Sequence, residues 1–485
     1  MNKNLSSLNP ALVWKHFAEI CNIPHPSHSE ERIRQYVVDF AVANGIEHKV
    51  DDAGNVYMCK AATAGMEDRK GIVLQAHVDM VPQKNNDKEF DFINDPIEAY
   101  IDGEWVTANG TTLGADNGIG VAAILAIFED DTIVHGPIEA LFTATEETGM
   151  DGAFGLKEGL LQGDILLNLD SETEGELYVG CAGGLDVSAE MPYEAVAAPQ
   201  EGYKALELSV KGCKGGHSGI QIICQRANAN KLLFRLLYAL NESLELKLAT
   251  VDGGGLRNAI PRESVAVVMV KEADVESVKS IAAEYEKLFV AEFTGIEDSI
   301  SVSVADAAAP ATVMACCCKL IKSIIACPDG VYKMSMEMEG LVQTSNNMAR
   351  VVADGQSIKV QCLTRSSIRS EKEALGYSIK SALELGGFSV VLSGSYDGWA
   401  PNMASPILKA MLESYEALYG KQPAVMAIHA GLECGIIGGK YPNLDMISFG
   451  PTICYPHSPD EKVEIASVGK FYDFLLHTLS NAPKK

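Results

Sequence analysis

Three short apolar segments in the first half of the chain each end in acidic or imidazole side chains. They are GIVLQAHV (71–78), IEALFTAT (138–145) and DILLNLD (164–170). Their length and β-rich composition predict strands, and helical patterns near 29–43 and over 117–130 alternate with them. This alternation predicts an α/β fold: a mixed, mostly parallel sheet with helices on both faces. Ligands bind beyond the carboxyl ends of such strands, so we expect a functional site there.

A set of acidic and imidazole residues occupies the predicted strand ends, a helix start and a late loop. The set comprises His77, Asp79, Asp116, Glu146, Glu147, Asp170 and His457. Two histidines and three carboxylates suit a pair of divalent ions if one carboxylate bridges them. Asp79 is then left to orient an imidazole, and one glutamate is left to handle protons. The set therefore predicts a two-metal hydrolase.

The order of the motifs constrains the domain organisation. From about 187 to 397 the pattern changes to strand-helix-strand-helix units, which predicts an inserted α+β lid with an internal duplication as one reading. His457 lies far beyond Asp170, so it can join the same site only if the C-terminal segment completes the first domain. We therefore predict a discontinuous catalytic domain, 1–186 and 398–485, with a lid at 187–397.

Composition excludes several classes of function. The 485 residues are 47% apolar and 21% charged, as in a globular chain with a large core. A formal charge of −26 disfavours nucleic acid and anionic membranes as partners. The first residues lack a signal-peptide pattern and the longest apolar run is too short to span a bilayer, so a cytoplasmic protein is expected. Twelve cysteines without regular pairing favour reduced, buried thiols.

Each motif has a simpler interpretation when taken alone. A histidine two residues before an aspartate is common at strand ends, and Asp116 could be only a helix cap. His217 in KGGHSG could be a residue of a flexible turn. Glu433 could favour a helix dipole or meet the free α-amine of a substrate. The ordered set is more specific than any of its members.

Eight strings together resemble the aminoacyl-histidine dipeptidases, also called peptidase D or cytosolic non-specific dipeptidases, within the di-zinc family of aminoacylases, carboxypeptidases and carnosinases. The strings are QAHVDMVPQKN, GTTLGADNGIG, TEETGMDGAFGL, CAGGLD, KGGHSG, LRNAIPRE, HAGLECG and PHSPDE. The resemblance runs from about residue 23 to the end of the chain. It departs at Tyr455, where glycine is expected, and around 346–350, which bears on substrate preference.

The resemblance implies a role for each residue of the set. It implies that His77 and Asp170 bind one metal, that Glu147 and His457 bind the other, and that Asp116 bridges both. Asp79 is implied to orient the His77 ring, and Glu146 to be the general base. In the lid, His217 is implied to stabilise the oxyanion, with Asn258 and Arg365 as candidates for holding the substrate carbonyl or carboxylate.

Three functions are compatible with these patterns. The leading hypothesis is a two-metal dipeptidase that cleaves unblocked dipeptides, including Xaa-His. An N-acyl-amino-acid amidohydrolase would use the same ions and base, and a non-catalytic metal-stabilised binding protein would need no base. Zinc is the default ion by resemblance, and histidine with carboxylate also suits cobalt and manganese. The sequence leaves monomer and homodimer both open.

Overall fold

The chain forms two compact units in the computed structural model, which describes residues 2 and 4–485. The first unit comprises the residues up to Gly180 together with Pro401–Ala427 and Leu432–Lys485. The second comprises Cys181–Ala400 and Ile428–Gly431. Each unit has its own sheet, and the first is assembled from segments that lie far apart in the sequence.

The first unit contains two sheets and seven helices of the described chain. Its strands are β1 (Glu47–Val50), β2 (Val56–Lys60), β3 (Ile72–His77), β4 (Ala99–Asp102), β5 (Trp105–Ala108), β6 (Ile138–Thr143), β7 (Ile165–Asn168), β8 (Glu176–Cys181), β22 (Ala424–Ile428), β23 (Asp445–Ser448), β24 (Ile453–Cys454) and β25 (Lys462–Glu464). Its helices are α1 (Ala11–Cys21), α2 (Glu31–Ala43), α3 (Ala115–Glu129), α4 (Asp151–Gly155), α9 (Pro406–Tyr419), α10 (Glu433–Lys440) and α11 (Ile465–Ser480).

The larger sheet of this unit has eight strands in the order β1-β2-β6-β3-β7-β23-β8-β22. Its centre is parallel, because β3 pairs with β6 and β7 in that sense and β23 pairs with β7. Antiparallel pairs of β1 with β2, β2 with β6, and β23 with β8 flank the centre. The predicted strands at 71–78, 138–145 and 164–170 correspond to β3, β6 and β7. The mixed α/β fold is thus confirmed.

Helix α3 lies in the core of the first unit. Every residue from Asn117 to Phe128 is buried, so this helix is apolar on all sides rather than amphipathic. A Cβ added at Gly120 would lie only 2.9 Å from the carbonyl oxygen of Leu169, just beyond the end of β7. The glycine therefore permits the start of α3 to approach the end of that strand.

The second unit is built on an antiparallel sheet. Its strands are β9 (Gly183–Pro192), β10 (Ala195–Ala197), β11 (Tyr203–Lys211), β12 (Gly216–His217), β13 (Lys247–Gly254), β14 (Ala259–Ile260), β15 (Ser264–Lys271), β16 (Ser301–Asp306), β17 (Thr312–Met314), β18 (Gly330–Met334), β19 (Val342–Ala353), β20 (Ser357–Ser366) and β21 (Ser389–Tyr396). Its helices are α5 (Ala229–Ser243), α6 (Val275–Glu292), α7 (Cys318–Ala326) and α8 (Arg369–Leu385).

The sheet of the second unit runs β16-β11-β15-β13-β19-β20-β9-β21, with β18 paired to β19. Side chains from the sheet and from the four helices form one large apolar core. Helix α5 contributes Leu233, Leu236 and Leu237, which are fully buried at the i, i+3, i+4 spacing of an amphipathic helix. The internal duplication of this unit stays a prediction.

Two further observations concern the cysteines and the helices. None of the twelve cysteines forms a disulfide bond in the described chain, and seven of them are buried, which fits their use as small apolar side chains. Among the described residues, no helix combines the length and the apolar character that a bilayer crossing needs.

Candidate metal centre

Two groups of potential metal ligands meet in the first unit. One contains His77, Asp116 and Asp170, and the other contains Asp116, Glu147 and His457. In each group the ligand atoms lie within 4.8 Å of one another. Asp116 belongs to both groups, so residues that are separated along the chain by hundreds of positions converge on one carboxylate.

The two oxygens of Asp116 face different histidines. Oδ1 lies 3.1 Å from Nε2 of His77, and Oδ2 lies 3.3 Å from Nε2 of His457. His77 Nε2 is also 3.1 Å from Oδ1 of Asp170, and His457 Nε2 is 2.9 Å from Oε2 of Glu147. A carboxylate whose oxygens point at two separate ligand groups has the arrangement of a bridging ligand.

Parallel pairing of the strands accounts for much of this convergence. His77 is the last residue of β3, Asp170 follows β7 by two residues, and Glu147 follows β6 by four. These three strands are neighbours in the sheet and point the same way, so their carboxyl ends lie together. Beyond β6 the backbone turns at Thr145, whose φ is +55° and whose hydroxyl donates to Glu30.

Asp79 connects His77 to the loop that carries the two glutamates. Its Oδ1 accepts the backbone N–H of Glu146 at 2.9 Å, and its Oδ2 accepts that of Glu147 at 3.2 Å and the hydroxyl of Ser27 at 2.8 Å. The Nδ1 atom of His77 lies 3.4 Å from the Asp79 carboxylate and 3.0 Å from the Asp79 backbone oxygen. Asp79 therefore contacts the ring through both groups and also binds the backbone of the glutamate loop.

Asp116 is not the cap of α3. Its backbone is non-helical (φ −85°, ψ 105°), and its carboxylate faces the two histidines. The N–H groups at the start of this helix are instead bound by Glu461, a buried carboxylate from the late PHSPDE loop. Burial and the nearby Asp116 raise the pKa of Glu461 to about 7, while these backbone donors lower it.

The protonation of the histidines reflects the concentration of carboxylates. Hydrogen bonds to Asp116 and Glu147 raise the pKa of His457 to about 11. Burial lowers the pKa of His77, but Asp170, Asp116 and Asp79 outweigh it and hold that pKa well above its usual value. The donor set of imidazoles and carboxylates fits divalent cations, and the buried Oε1 of Glu147 has no hydrogen-bond partner among the described residues.

Glu146 lies beside the ligands and, within the described chain, belongs to neither ligand group. Burial raises the pKa of its carboxyl well above the usual value, and the neighbouring Asp170, Glu433 and Glu147 raise it further against the opposing effect of His77. A carboxyl of raised pKa beside these ligand groups is suited to accept and return a proton.

Glu433 lies near this cluster, and among the described residues only one of its two carboxylate oxygens has hydrogen-bond partners. Its Oε2 accepts hydrogen bonds from Nε2 of Gln75 at 2.6 Å and from Oγ1 of Thr143 at 2.8 Å. Its Oε1 is buried without a partner among the described residues. Burial raises the pKa of Glu433 to about 7, an effect opposed by His77 and reinforced by Asp170.

His217, Asn258 and Arg365 all lie in the second unit. His217 pairs with Ala259 across β12 and β14, and its Nδ1 accepts the backbone N–H groups of Gly219 and Ile220, each at 3.2 Å. Accepting at Nδ1 leaves the proton of the neutral ring on Nε2. Burial, with the charge of Arg365, lowers the pKa of His217 and so favours this neutral form.

Arg365 is a buried cation on β20. Only 5% of it is exposed; its Nη1 donates to the hydroxyl of Tyr396 at 3.2 Å, and its Nε has no partner among the described residues. Asn258 is exposed, and its backbone oxygen accepts the N–H of Ser218 at 2.8 Å.

Sequence reasoning missed several polar residues around these groups. Glu461 and His429 lie in the strings PHSPDE and HAGLECG, yet no charge pattern singled them out. In the second unit, Nε2 of His429 is 2.8 Å from the Ser345 hydroxyl, and burial lowers its pKa to about 3. Glu30 accepts a hydrogen bond from the Thr145 hydroxyl, and Ser27 donates one to Asp79. The role of the segment that carries Glu30 and Ser27 is visible only in the folded chain.

The backbone of the His457 loop bears on the departure at Tyr455. The φ angles of Tyr455 and His457 are +55° and +58°, in the left-handed region that favours glycine. The glycine expected at 455 would suit this conformation. The tyrosine found there adopts the same conformation and is 63% exposed. The ammonium of Lys462 lies 5.7 Å from the centre of its ring.

Comparisons with known proteins agree over nearly the full length of the chain. The chain is 46% identical over 484 residues to the cytosol non-specific dipeptidase of Escherichia coli (strain K12), covering 99% of each sequence. The crystal structure of aminoacylhistidine dipeptidase from Vibrio alginolyticus matches with a TM-score of 0.95 and 47% identity over 99% of this chain and 98% of that one. An aminopeptidase structure from Bacillus cereus, at 15% identity, 98% and 99% coverage and a TM-score of 0.58, shares the fold alone.

The two candidate ligand groups extend from His77 to His457. The model of one peptidase family matches the same stretch of the chain, from residue 73 to residue 481. Since that match covers most of the chain and the full-length relative is 46% identical, the chain belongs to peptidase family M20/M25/M40.

Proposed function

We propose that the chain is a metal-dependent dipeptidase of the cytoplasm that hydrolyses the peptide bond of unblocked dipeptides, including Xaa-His. The observation that carries this proposal is the position of Asp116, whose two oxygens face His77 and His457. The names of the two full-length relatives support the substrate class and, for the Escherichia coli protein, the compartment.

The centre would hold two divalent ions. His77 and Asp170 would bind one ion, Glu147 and His457 the other, and Asp116 both; zinc is the proposed metal, with cobalt and manganese as alternatives. Bound ions of this kind make water acidic enough to act as a nucleophile near neutral pH. Asp79 would keep His77 in the tautomer that presents Nε2 to the centre.

Glu146 would serve as the general base and then as the acid that protonates the leaving amine. Its burial and its acidic neighbours favour proton uptake, and its place outside both ligand groups leaves its carboxylate available. A positioned base of this kind contributes about 10²–10⁴-fold in rate.

Substrate contacts are proposed for four residues. Glu433 would accept the α-ammonium group through its unpartnered Oε1. In the second unit, Arg365 would bind the C-terminal carboxylate, because its guanidinium is buried and its Nε donor has no partner among the described residues, with Asn258 as a further polar contact. His217 would donate from Nε2 to the developing oxyanion, since its Nδ1 is occupied by backbone donors.

The first test replaces each of two adjacent glutamates by its amide. Glu146→Gln is expected to lower kcat for a free dipeptide by at least about 10²-fold while two metal ions per chain remain. Glu147→Gln, the matched control, removes a ligand and is expected to lose metal as well as activity. Metal content by elemental analysis and hydrolysis of a dipeptide panel, before and after chelation, are the measurements.

The outcomes separate the alternatives. Loss of metal in Glu146→Gln would make that residue a ligand and overturn its role as base. Hydrolysis of N-acetylated but not free dipeptides would identify an amidohydrolase instead. A metal-replete chain that cleaves no amide would be a binding protein.

A further inference from the structure

The N-terminal turn of α3 is bound by a single buried side chain from the other end of the sequence. Oε2 of Glu461 accepts the backbone N–H groups of Leu113 at 2.8 Å and Gly114 at 3.1 Å. Its Oε1 accepts those of Ala115 at 2.8 Å and Asp116 at 3.4 Å. Only 2% of Glu461 is exposed. Four consecutive backbone donors are thus directed at one carboxylate.

This arrangement requires a carboxylate and not merely a polar side chain. An ionised carboxylate offers two oxygens that only accept, whereas an amide replaces one of them by a donor. Either orientation of a glutamine would point its NH₂ group at two N–H donors. Buried donors that lose their acceptor carry the full cost of desolvation.

Glu461 is also fixed to the loop that carries His457. Its backbone N–H donates to the carbonyl oxygen of Ser458 at 3.1 Å, and the Ser458 hydroxyl donates to the carbonyl oxygen of Tyr455 at 2.9 Å. On its other side, the Glu461 carbonyl oxygen accepts the Thr107 hydroxyl at 2.8 Å, where β25 joins β5. The backbone of this residue is therefore held on both sides.

These two sets of bonds join the segments that supply Asp116 and His457. The Nε2 atom of His457 lies 3.3 Å from Oδ2 of Asp116, although the two residues belong to distant parts of the sequence. Glu461 binds the backbone N–H of Asp116 through its side chain and follows His457 by one short turn. The separation of the two ligands therefore depends on the length and the charge of this side chain.

Resting on the proposed two-metal function, we propose that Glu461 is a positioning residue: it sets the separation of Asp116 and His457 and so the affinity of the centre for one of its two metal ions. It touches neither substrate nor metal in this role. Its removal should affect the ion held by Asp116, Glu147 and His457 more than the ion held by His77 and Asp170, because Glu461 is bonded to the segments of Asp116 and His457, whereas His77 lies on β3 and Asp170 follows β7.

The test measures Zn²⁺ binding to the apoprotein. Parent and Glu461→Gln chains are stripped with a chelator and titrated with Zn²⁺ against a chromophoric competitor, which resolves two binding steps. We expect the variant to bind one equivalent about 10- to 100-fold more weakly and the other nearly as the parent does. Glu461→Asp, which keeps the charge on a shorter side chain, should fall between them and serves if the amide variant does not fold.

Glu464→Gln is the matched control. It makes the same chemical change three residues away, where the backbone N–H and C=O of Glu464 bond to Thr452 and Ser467. This variant is expected to bind both equivalents like the parent. The melting temperature of each apoprotein is measured in parallel to record any loss of fold stability.

The results discriminate between the inference and its premise. Two equivalents bound with parent affinity by both Glu461 variants would overturn the positioning role, even if their apoproteins melted at lower temperature, because that pattern describes a structural residue only. A parent chain that binds no Zn²⁺ would instead refute the two-metal function itself.

Discussion

The Glu433→Gln variant tests whether Glu433 recognises the amino group of the substrate. The present carboxylate uses Oε2 for both of its hydrogen bonds, to Gln75 and Thr143, and leaves Oε1 unpartnered among the described residues. A glutamine can place its oxygen at the Oε2 position and its NH₂ group at the Oε1 position. The change therefore preserves the two bonds and the shape, and removes only the charge.

The size of the effect follows from these contacts. If Oε1 accepts the α-ammonium group of a dipeptide, the variant loses a hydrogen bond between charged groups and sets an NH₂ donor against another donor. Such bonds contribute about 1.5–3 kcal/mol, which corresponds to a loss of about 10- to 150-fold in kcat/KM. An N-acetylated dipeptide has no ammonium group, so its rate should change little.

The stability of the variant should not fall. Burial raises the pKa of Glu433 to about 7, so the carboxyl stabilises the fold below pH 4 to 5 and this contribution is lost as the pH rises through 7. Glutamine does not titrate. We therefore expect the apoprotein of the variant to melt at the same temperature as the parent at pH 5 and at a higher temperature at pH 8.

The assay compares kcat/KM for a free dipeptide and its N-acetylated form in parent and variant. The reasoning predicts a selective loss for the free dipeptide. An equal loss for both substrates would show that Glu433 acts on the metal centre and not on the amine. A drop in melting temperature at pH 8 would show that the hydrogen bonds were not preserved.

Two further predictions concern the second unit and the thiols. Asp329→Asn should gain stability relative to the parent as the pH rises from 4 to 7, by on the order of 2 kcal/mol, because burial raises the pKa of Asp329 to about 6. The hydrogen bonds are kept, since one amide oxygen can still accept from Asn228 and from the backbone of Met348, the two donors now at Oδ1. Melting temperatures of the apoproteins at both pH values are the measurement, and a difference between variant and parent that is the same at both would contradict the reasoning. In the native protein a thiol reagent should rapidly modify two cysteines, the exposed Cys224 and Cys316, and in denaturant it should modify all twelve. Rapid modification of the buried Cys362 would contradict its place in the core.

The elements that carry the metal ligands could largely be predicted from the sequence. Strands β3, β6 and β7 are short, continuously apolar segments, and the acids and the imidazole follow them at the carboxyl ends, where parallel sheets bind ligands. Helix α3 was predicted over 117–130 and is observed over Ala115–Glu129. For these elements, the bounds predicted from the local sequence agree closely with the bounds in the folded chain.

Long-range geometry could not be predicted in the same way. The periodicity of apolar residues does not reveal that β23 lies between β7 and β8, because strand order depends on which edges remain free when the segments meet. The role of Glu461 also escaped the sequence, since one glutamate in a loop looks solvated until the four N–H donors of a distant turn are placed against it. Asp116 was interpreted as a helix cap or a ligand, and only the folded chain separates the two readings.

The place of β23 has a consequence for how the chain is made. Ser448 on β23 bonds to Asn168 on β7 although 280 residues separate them, so a ribosome adding about 5–20 residues per second needs roughly a quarter of a minute to a minute to deliver the missing central strand. During that interval the emerging polypeptide exposes the open edge of β7. Such an edge is a template for pairing with other chains, which makes nascent-chain protection a requirement built into this topology.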